Sequence, residues 1–146
     1  MAEVRNLFIC VGQRVPMLEL PEVDVKANFG FVGCRHARAG SDRQVLIMDS
    51  ETVVALDLAP GTVRENITTS GIDLKRVAVG QHLRLGQVVL EIADPCHPCR
   101  RMDEIRAGLR AELQGRRGWL CRVLEGGRLH PGNLVEVVAA ARASIE

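Results

Sequence analysis

The chain has 146 residues, of which 47% are hydrophobic and 25% charged, and its formal net charge is +1. Such a composition is that of an ordinary globular protein, and the length suits one domain with a substantial core. A charge this close to neutral gives no general attraction to nucleic acid, and no Tyr, one Trp and three Phe leave little for a base-stacking platform.

No apolar run reaches the roughly eighteen residues that a membrane-spanning helix needs. The start, Met1-Ala2-Glu3-Val4-Arg5, mixes acid with base and leads into only a short apolar run, unlike a signal peptide. Five cysteines, an odd number, argue against a disulfide scaffold and for reduced thiols in a cytoplasmic protein.

Taken in order, Val4 to Val11 reads as a first strand ended by Gly12. Met17 to Pro21 and Val23-Asp24-Val25 are short extended pieces. In Phe29-Gly30-Phe31-Val32-Gly33, glycines inside an apolar run suggest a bulge or a close backbone approach. Cys34-Arg35-His36 follows, where His36 is either a ligand or base or simply a polar loop residue. After the turn Gly40-Ser41-Asp42, Gln44 to Met48 is a strand of continuous apolar character. Glu51 to Leu58 is of undecided type, and Ala59-Pro60-Gly61 is a turn.

Thr62 to Gly71 places Arg64-Glu65-Asn66 among β-branched residues, where a strand begins. If that stretch is extended, Arg64 and Glu65 point to opposite faces, and one of them faces inward or into a cleft. A charge so placed needs a partner or a ligand. A structural ion-pair network is the alternative. Val77-Ala78-Val79-Gly80, His82 to Gly86 and Val88 to Ala93 then give turns and strands.

The last of these runs straight into Asp94-Pro95-Cys96-His97-Pro98-Cys99-Arg100. Each proline lacks an N–H and biases its predecessor toward extended geometry, so this segment is a stiff loop. One helix follows, with Met102, Ile105, Leu109 and Leu113 on a single face, Asp103 and Glu104 in the first turn and Gly115 as the stop. Trp119 to Leu124, Arg128 to His130 and Leu134 to Val138 close the chain as strands, and Ala139 to Glu146 is a short helix or frays. Neither a repeat nor a linker appears. The expectation is one mainly β domain over residues 1–146, a strand-rich antiparallel barrel with one clear helix after the Cys-x-x-Cys loop.

The chemistry centres on that loop. A Cys99 just ahead of a helix faces unpaired N–H groups, Arg100 and Arg101, all of which favour thiolate over thiol. Thiolates serve nucleophilic, redox and soft-metal chemistry. Heme attachment is excluded because Arg100 stands where that motif needs His. A closed zinc site would have to recruit Cys34 and His36 to join Cys96 and Cys99. Residues 100–122 hold seven arginines against Asp103, Glu104 and Glu112. Such a patch suits an anionic ligand, because guanidinium makes forked contacts to phosphate and carboxylate; a solvated helix face is the alternative.

Pro60-Gly61-Thr62-Val63-Arg64-Glu65-Asn66-Ile67-Thr68-Thr69-Ser70-Gly71 resembles the central signature of the MOSC domain family, named for the C-terminal part of molybdenum cofactor sulfurase. The subsequent order is also similar: Val79-Gly80, Leu85-Gly86, Cys96-His97-Pro98-Cys99, then Pro131-Gly132-Asn133-Leu134-Val135. Phe29 to His36 and Arg43-Gln44-Val45 resemble the family's N-terminal part, so the resemblance spans about residues 3 to 138. It implies a barrel with a cleft for molybdenum cofactor (molybdopterin). In relatives such as the amidoxime-reducing component, the cysteine that matches Cys99 ligates molybdenum, and the matches of Arg64 and Asn66 help hold the cofactor. Such relatives reduce N-hydroxylated compounds with electrons from partner redox proteins.

The candidate catalytic residues are therefore Cys99 and Cys96, with Cys99 as the metal ligand. Arg64, Glu65, Asn66, Thr68, His36 and Arg100 are the candidate cofactor-binding set, Glu65 acting by orienting its neighbours. A second reading makes Cys99 a persulfide carrier with Cys96 releasing the sulfur as a disulfide. Two positions depart from the family pattern, since Cys34 and Asn133 stand where a carboxylate is usual. Nothing in the sequence fixes the oligomeric state.

Overall fold

The computed structural model describes residues 1–138. The strands are β1 (Glu3–Ile9), β2 (Leu18–Glu19), β3 (Val23–Lys26), β4 (Gly30–Phe31), β5 (Val45–Asp49), β6 (Ile67–Ser70), β7 (His82–Leu85), β8 (Val88–Pro95), β9 (Trp119–Glu125), β10 (Gly127–Leu129) and β11 (Val135–Val138). Three short helices interrupt them: α1 (Ser50–Ala55), α2 (Arg101–Ile105) and α3 (Leu109–Glu112). The expected tail helix, residues 139–146, lies outside the described residues. No helix among the described residues is long and apolar enough to cross a membrane.

Eight strands form one sheet in the order β11-β7-β8-β9-β5-β6-β1-β2, and β10-β3-β4 form a second. Every pairing is antiparallel except β5 with β6, which run parallel because α1 carries the chain back between them. The mainly β, mostly antiparallel expectation holds, while the described strands form two sheets rather than one closed barrel. The segment entering β11 nevertheless meets the start of β1: Glu3 bridges Leu134, Val4 N–H donates to Asn133 O, Gly132 N–H to Val4 O and Val135 N–H to Ala2 O.

The core lies between the sheets, where alternate residues of the strands converge. Leu7, Phe31, Ile47, Ile67, Leu83, Leu85, Leu90 and Ile92 are buried there together with Cys121. Burial pushes the Cys121 thiol far up, its Sγ–H reaching only Trp119 O at 3.8 Å, so this cysteine is packing rather than chemistry.

A smaller cluster explains the helices. Met48, Val53, Leu56, Val63, Met102, Leu109 and Leu113 pack together beneath α1 and α2. The undecided segment after β5 becomes helical because Asp49 caps it, its carboxylate accepting from Thr52 N–H at 3.0 Å. The single helix expected after the cysteine loop is instead two. Arg106 is extended (φ −158°) and Gly108 left-handed (φ +85°), which breaks the chain between α2 and α3. The break lets Leu109 and Leu113 reach the cluster while Ile105 turns outward. Asp103 then caps the second piece, its carboxylate accepting from Arg110 N–H.

Gly118 fixes how the cysteine loop docks. Its φ is +85°, and a Cβ there would lie 2.1 Å from Ile47 O on β5. Its own carbonyl accepts from Cys96 N–H at 3.0 Å. Gly118→Ala therefore lowers stability by more than the ~1–2 kcal/mol of left-handed backbone alone. Gly40 is also left-handed (φ +78°) but has open space around it, so Gly40→Ala pays only the backbone term. Chemical denaturation of the two variants measures the difference; equal losses would mean that β5 does not pass so near.

Candidate functional site

Three loops meet at one end of the large sheet. The first carries Cys34 to Arg43 and is held by Gln44, whose fully buried amide accepts from Val123 N–H at 2.9 Å and donates to Arg38 O at 3.1 Å. The second, residues 60–66, enters β6. Arg64 is not extended there but left-handed (φ +69°), so the simple alternation expected of Arg64 and Glu65 does not apply. Glu65 turns inward regardless, with no exposure, and its Oε2 accepts from Gly61 N–H at 2.8 Å. The third is the cysteine loop, which leaves β8 at Pro95 and starts α2 through Met102 N–H donating to Cys99 O.

Between them lies a cleft of about 400 Å3. Arg35, Arg38, Arg43, Arg64, Arg101 and Arg117 line it, with His36, Asn66, Cys96 and Cys99, and none of its lining residues is acidic. Cys99 is exposed and Cys96 buried. The Cys96 sulfur accepts from Arg117 Nη1 at 2.8 Å, while Arg117 Nη2 donates to Val63 O. Burial pushes the Cys96 thiol up, against the opposing pull of Arg117 and Arg43. Burial likewise pushes the Glu65 carboxyl up, against its backbone contacts and Arg117. Glu65 Oε1 and Arg117 Nε are both buried without a hydrogen-bond partner.

Asn66 is the floor. Its Oδ1 accepts from Leu46 N–H at 2.9 Å, and its Nδ2 donates to Phe8 O at 3.1 Å and Cys34 Sγ at 3.4 Å. Arg64 reaches the other way, donating to Val15 O, Gly12 O and Cys10 Sγ. Cys34 is buried and also accepts from Cys10 N–H at 3.3 Å. Burial alone would raise its thiol. The hydrogen bond and charge of His36, with backbone N–H groups, outweigh that and lower it to about 7.

Of the residues singled out in the sequence, Cys99, Cys96, Arg64, Asn66 and His36 line this one cleft. Glu65 stands behind it. Thr68 does not line it: its hydroxyl donates to Asn6 Oδ1 at 2.7 Å within the pairing of β1 with β6. Arg100 is exposed at the start of α2, outside the lining. The dipole offered to Cys99 is that of a helix of only five residues. Among the described residues no three His, Cys, Asp or Glu side chains converge as a metal site, so Cys96, Cys99, Cys34 and His36 do not form a ready zinc cage. Sequence reasoning missed Arg35, Arg38 and Arg43 as cleft residues, placed Arg117 only within the arginine-rich stretch of residues 100–122, and gave Cys10 no place. Their arginine-rich neighbourhoods were visible, but no spacing rule joins loops so far apart in the chain.

Fold and site together describe a small β domain with a cationic cleft and one open thiol. The chain belongs to the MOSC domain family, whose model matches residues 35–136. It is 26% identical over 116 residues to the uncharacterized protein YflK of Bacillus subtilis (strain 168), covering 73% of this chain and 52% of that protein. Over 83 residues it is 32% identical to a reductase of Gibberella moniliformis, covering 53% of this chain but 15% of that protein. The chain thus spans about half of the first relative and a small part of the second. Among solved structures, YuaD of Bacillus subtilis superposes with a TM-score of 0.77 at 19% identity, over 95% of this chain and 97% of that one. YiiM of Geobacillus stearothermophilus gives 0.78 at 18% identity, over 94% and 75%. At those identities the likeness concerns the fold.

Cys34 yields a test in solution. A thiol lowered in the folded state adds stability that is fully present above the unfolded value of 9.0 and is lost as pH falls through about 7. Wild type should therefore gain stability over Cys34→Ser as pH rises from 7 to 9. The native protein should also show a thiolate absorbance step near pH 7 that Cys34→Ser lacks. A wild-type titration that matches that of Cys34→Ser near pH 7 would show that His36 and the backbone donors do not act on this sulfur.

Proposed function

We propose that the arginine-lined cleft holds molybdenum cofactor, with its phosphate on the guanidinium groups and its metal on Cys99. The loaded protein then acts as an oxidoreductase on N-hydroxylated small molecules. The observation that carries this reading is an exposed thiol sharing a cleft with six arginines and no carboxylate. An anion with a soft metal centre suits that donor set: guanidinium forks match phosphate oxygens, and sulfur matches the metal. Cys99, Arg64, Asn66 and His36 are among the lining residues, while Glu65 lies behind them.

When bound, the cofactor supplies the two-electron redox chemistry. The protein's residues supply the rest. Arg35, Arg38, Arg43, Arg64, Arg101 and Arg117 bind and orient the charged end. Asn66 holds the floor in place through its bonds to Leu46, Phe8 and Cys34. Glu65 secures the loop that bears Arg64 by accepting from Gly61 N–H. His36 lines the cleft and hydrogen-bonds the Cys34 sulfur, which holds its ring in place there. A redox partner protein delivers electrons from the cytoplasm, and no nucleic acid takes part.

The sulfur-carrier reading draws on the same two thiols, since Cys96 and Cys99 share the cleft. It asks Cys96 to attack Sγ of a Cys99 persulfide, forming the Cys96–Cys99 disulfide and expelling the outer sulfur as hydrosulfide. A thiol pushed up by burial and already bonded to Arg117 is poorly suited to that step.

Metal analysis of protein from a molybdate-fed, cofactor-competent host separates the two. The proposal expects about one molybdenum per chain with its pterin, falling at least ~10-fold in Cys99→Ser. A metal-free protein that gains a sulfur atom on Cys99 from a sulfur donor would replace this reading with the carrier.

A further inference from the structure

A second cavity, of about 460 Å3, opens beside the cationic cleft. Arg64, Arg101 and Met102 line both, so the two spaces are neighbours. Their walls differ in kind. Where the first gathers guanidinium groups, the second adds Val15, Pro16, Met17, Pro60 and Ile105 to Arg64 and Arg101, with Arg14 and Glu104 also in its lining. Val15 and Ile105 remain 41% and 40% exposed although both are aliphatic. Scattered exposed aliphatics need no explanation, but these border one concave space next to fixed charges.

The wall is held in position at some cost. Arg14 and Arg64 are both left-handed without being glycine (φ +62° and +69°), and such strain persists only where the surroundings enforce it. Arg64 enforces it here, its guanidinium donating to Val15 O at 2.8 Å and Gly12 O at 3.0 Å. Arg14 in turn pairs with Glu104 of α2 at 2.8 Å across the rim. That pair is exposed, contributes little and breaks readily, so the rim does not bar entry.

We propose that this second cavity binds the apolar body of a small soluble amphipathic anion, an alkyl or aryl phosphate, whose charged head rests on Arg64 and Arg101. The two shared arginines supply the charge complementarity, and the aliphatic wall begins immediately beyond them. The volume lies within the range of about 300–1,000 Å3 usual for small-ligand sites. Both readings use Arg64 and Arg101, but Cys99 does not line this cavity, so the aliphatic wall can be tested apart from any metal ligation.

Calorimetric titration of the cofactor-free chain with hexyl phosphate and with inorganic phosphate tests it. Hexyl phosphate should bind at least ~10-fold more tightly, through burial of its methylenes. Ile105→Asn, and independently Val15→Thr, should remove most of that preference while leaving inorganic phosphate binding within about twofold. Val79→Asn, at an exposed aliphatic outside both cavities, should leave the preference intact, and Arg64→Ala should weaken both ligands. Equal binding of the two phosphates by the wild type would overturn the proposal, as would a full preference surviving in both cavity variants.

Discussion

One buried amide holds the working end of this molecule together. Asn66 has no exposure, and its side chain ties β5 at Leu46, β1 at Phe8 and the loop at Cys34. Its backbone joins the same neighbours, with Asn66 N–H donating to Leu46 O and Phe8 N–H to Asn66 O. Stranding a buried donor or acceptor costs about 1–3 kcal/mol, while an exposed ion pair contributes about 0–1. The clamp therefore matters more to the cleft's shape than surface pairs such as Arg14 with Glu104. It also explains why the residue just before Glu65 accepts a left-handed backbone: the chain must turn sharply to deliver Asn66 to this position.

The second constraint is electrostatic. Six guanidinium groups around one cleft repel one another, and no carboxylate lines the space to relieve them. Glu65, the nearest buried acid, is of limited help because burial pushes its carboxyl toward the neutral form. Part of the load is taken by backbone oxygens: Arg64 is fastened to Val15 and Gly12, and Arg117 to Val63. The remainder is repulsion that an incoming anion would relieve. Such an arrangement is costly when empty and would become favourable on filling, which is the physical basis of the anion-binding proposal.

The sulfurs divide by environment. Cys121 is enclosed in the core and inert, and Cys96 is buried against Arg117. Cys34 is buried too, yet enough donors face it to lower its thiol. Cys99 is the exposed one, at the edge of the charged space. Neighbours, rather than the Cys-x-x-Cys spacing, assign these roles.

Much of this was legible in the chain. Alternation and glycine turns gave most strands, and the ordered motifs gave the family, because both signals are local. Four things were not. The break at Gly108 lost to a regular apolar spacing that favours one helix, and only the packing of Leu109 and Leu113 beneath α1 reveals the gain from breaking. Closure of a sheet depends on strand stagger, which the pattern of Val and Gly does not encode. Thr68 sits inside the family signature but pairs with Asn6, since residues alternate faces along β6 and only some reach the cleft. The arginines from the first loop were invisible as a group until Gln44 placed that loop beside Cys99.

The claim on which all of this rests is that the Cys99 sulfur and the arginines share one anion-binding space. Limited iodoacetamide labelling of the native protein, mapped peptide by peptide with and without pyrophosphate, addresses it directly. The account predicts that Cys99 is labelled ahead of the four buried cysteines and that saturating pyrophosphate slows it several-fold. Labelling of Cys99 at an unchanged rate under bound pyrophosphate, or faster labelling of a buried cysteine, would contradict it.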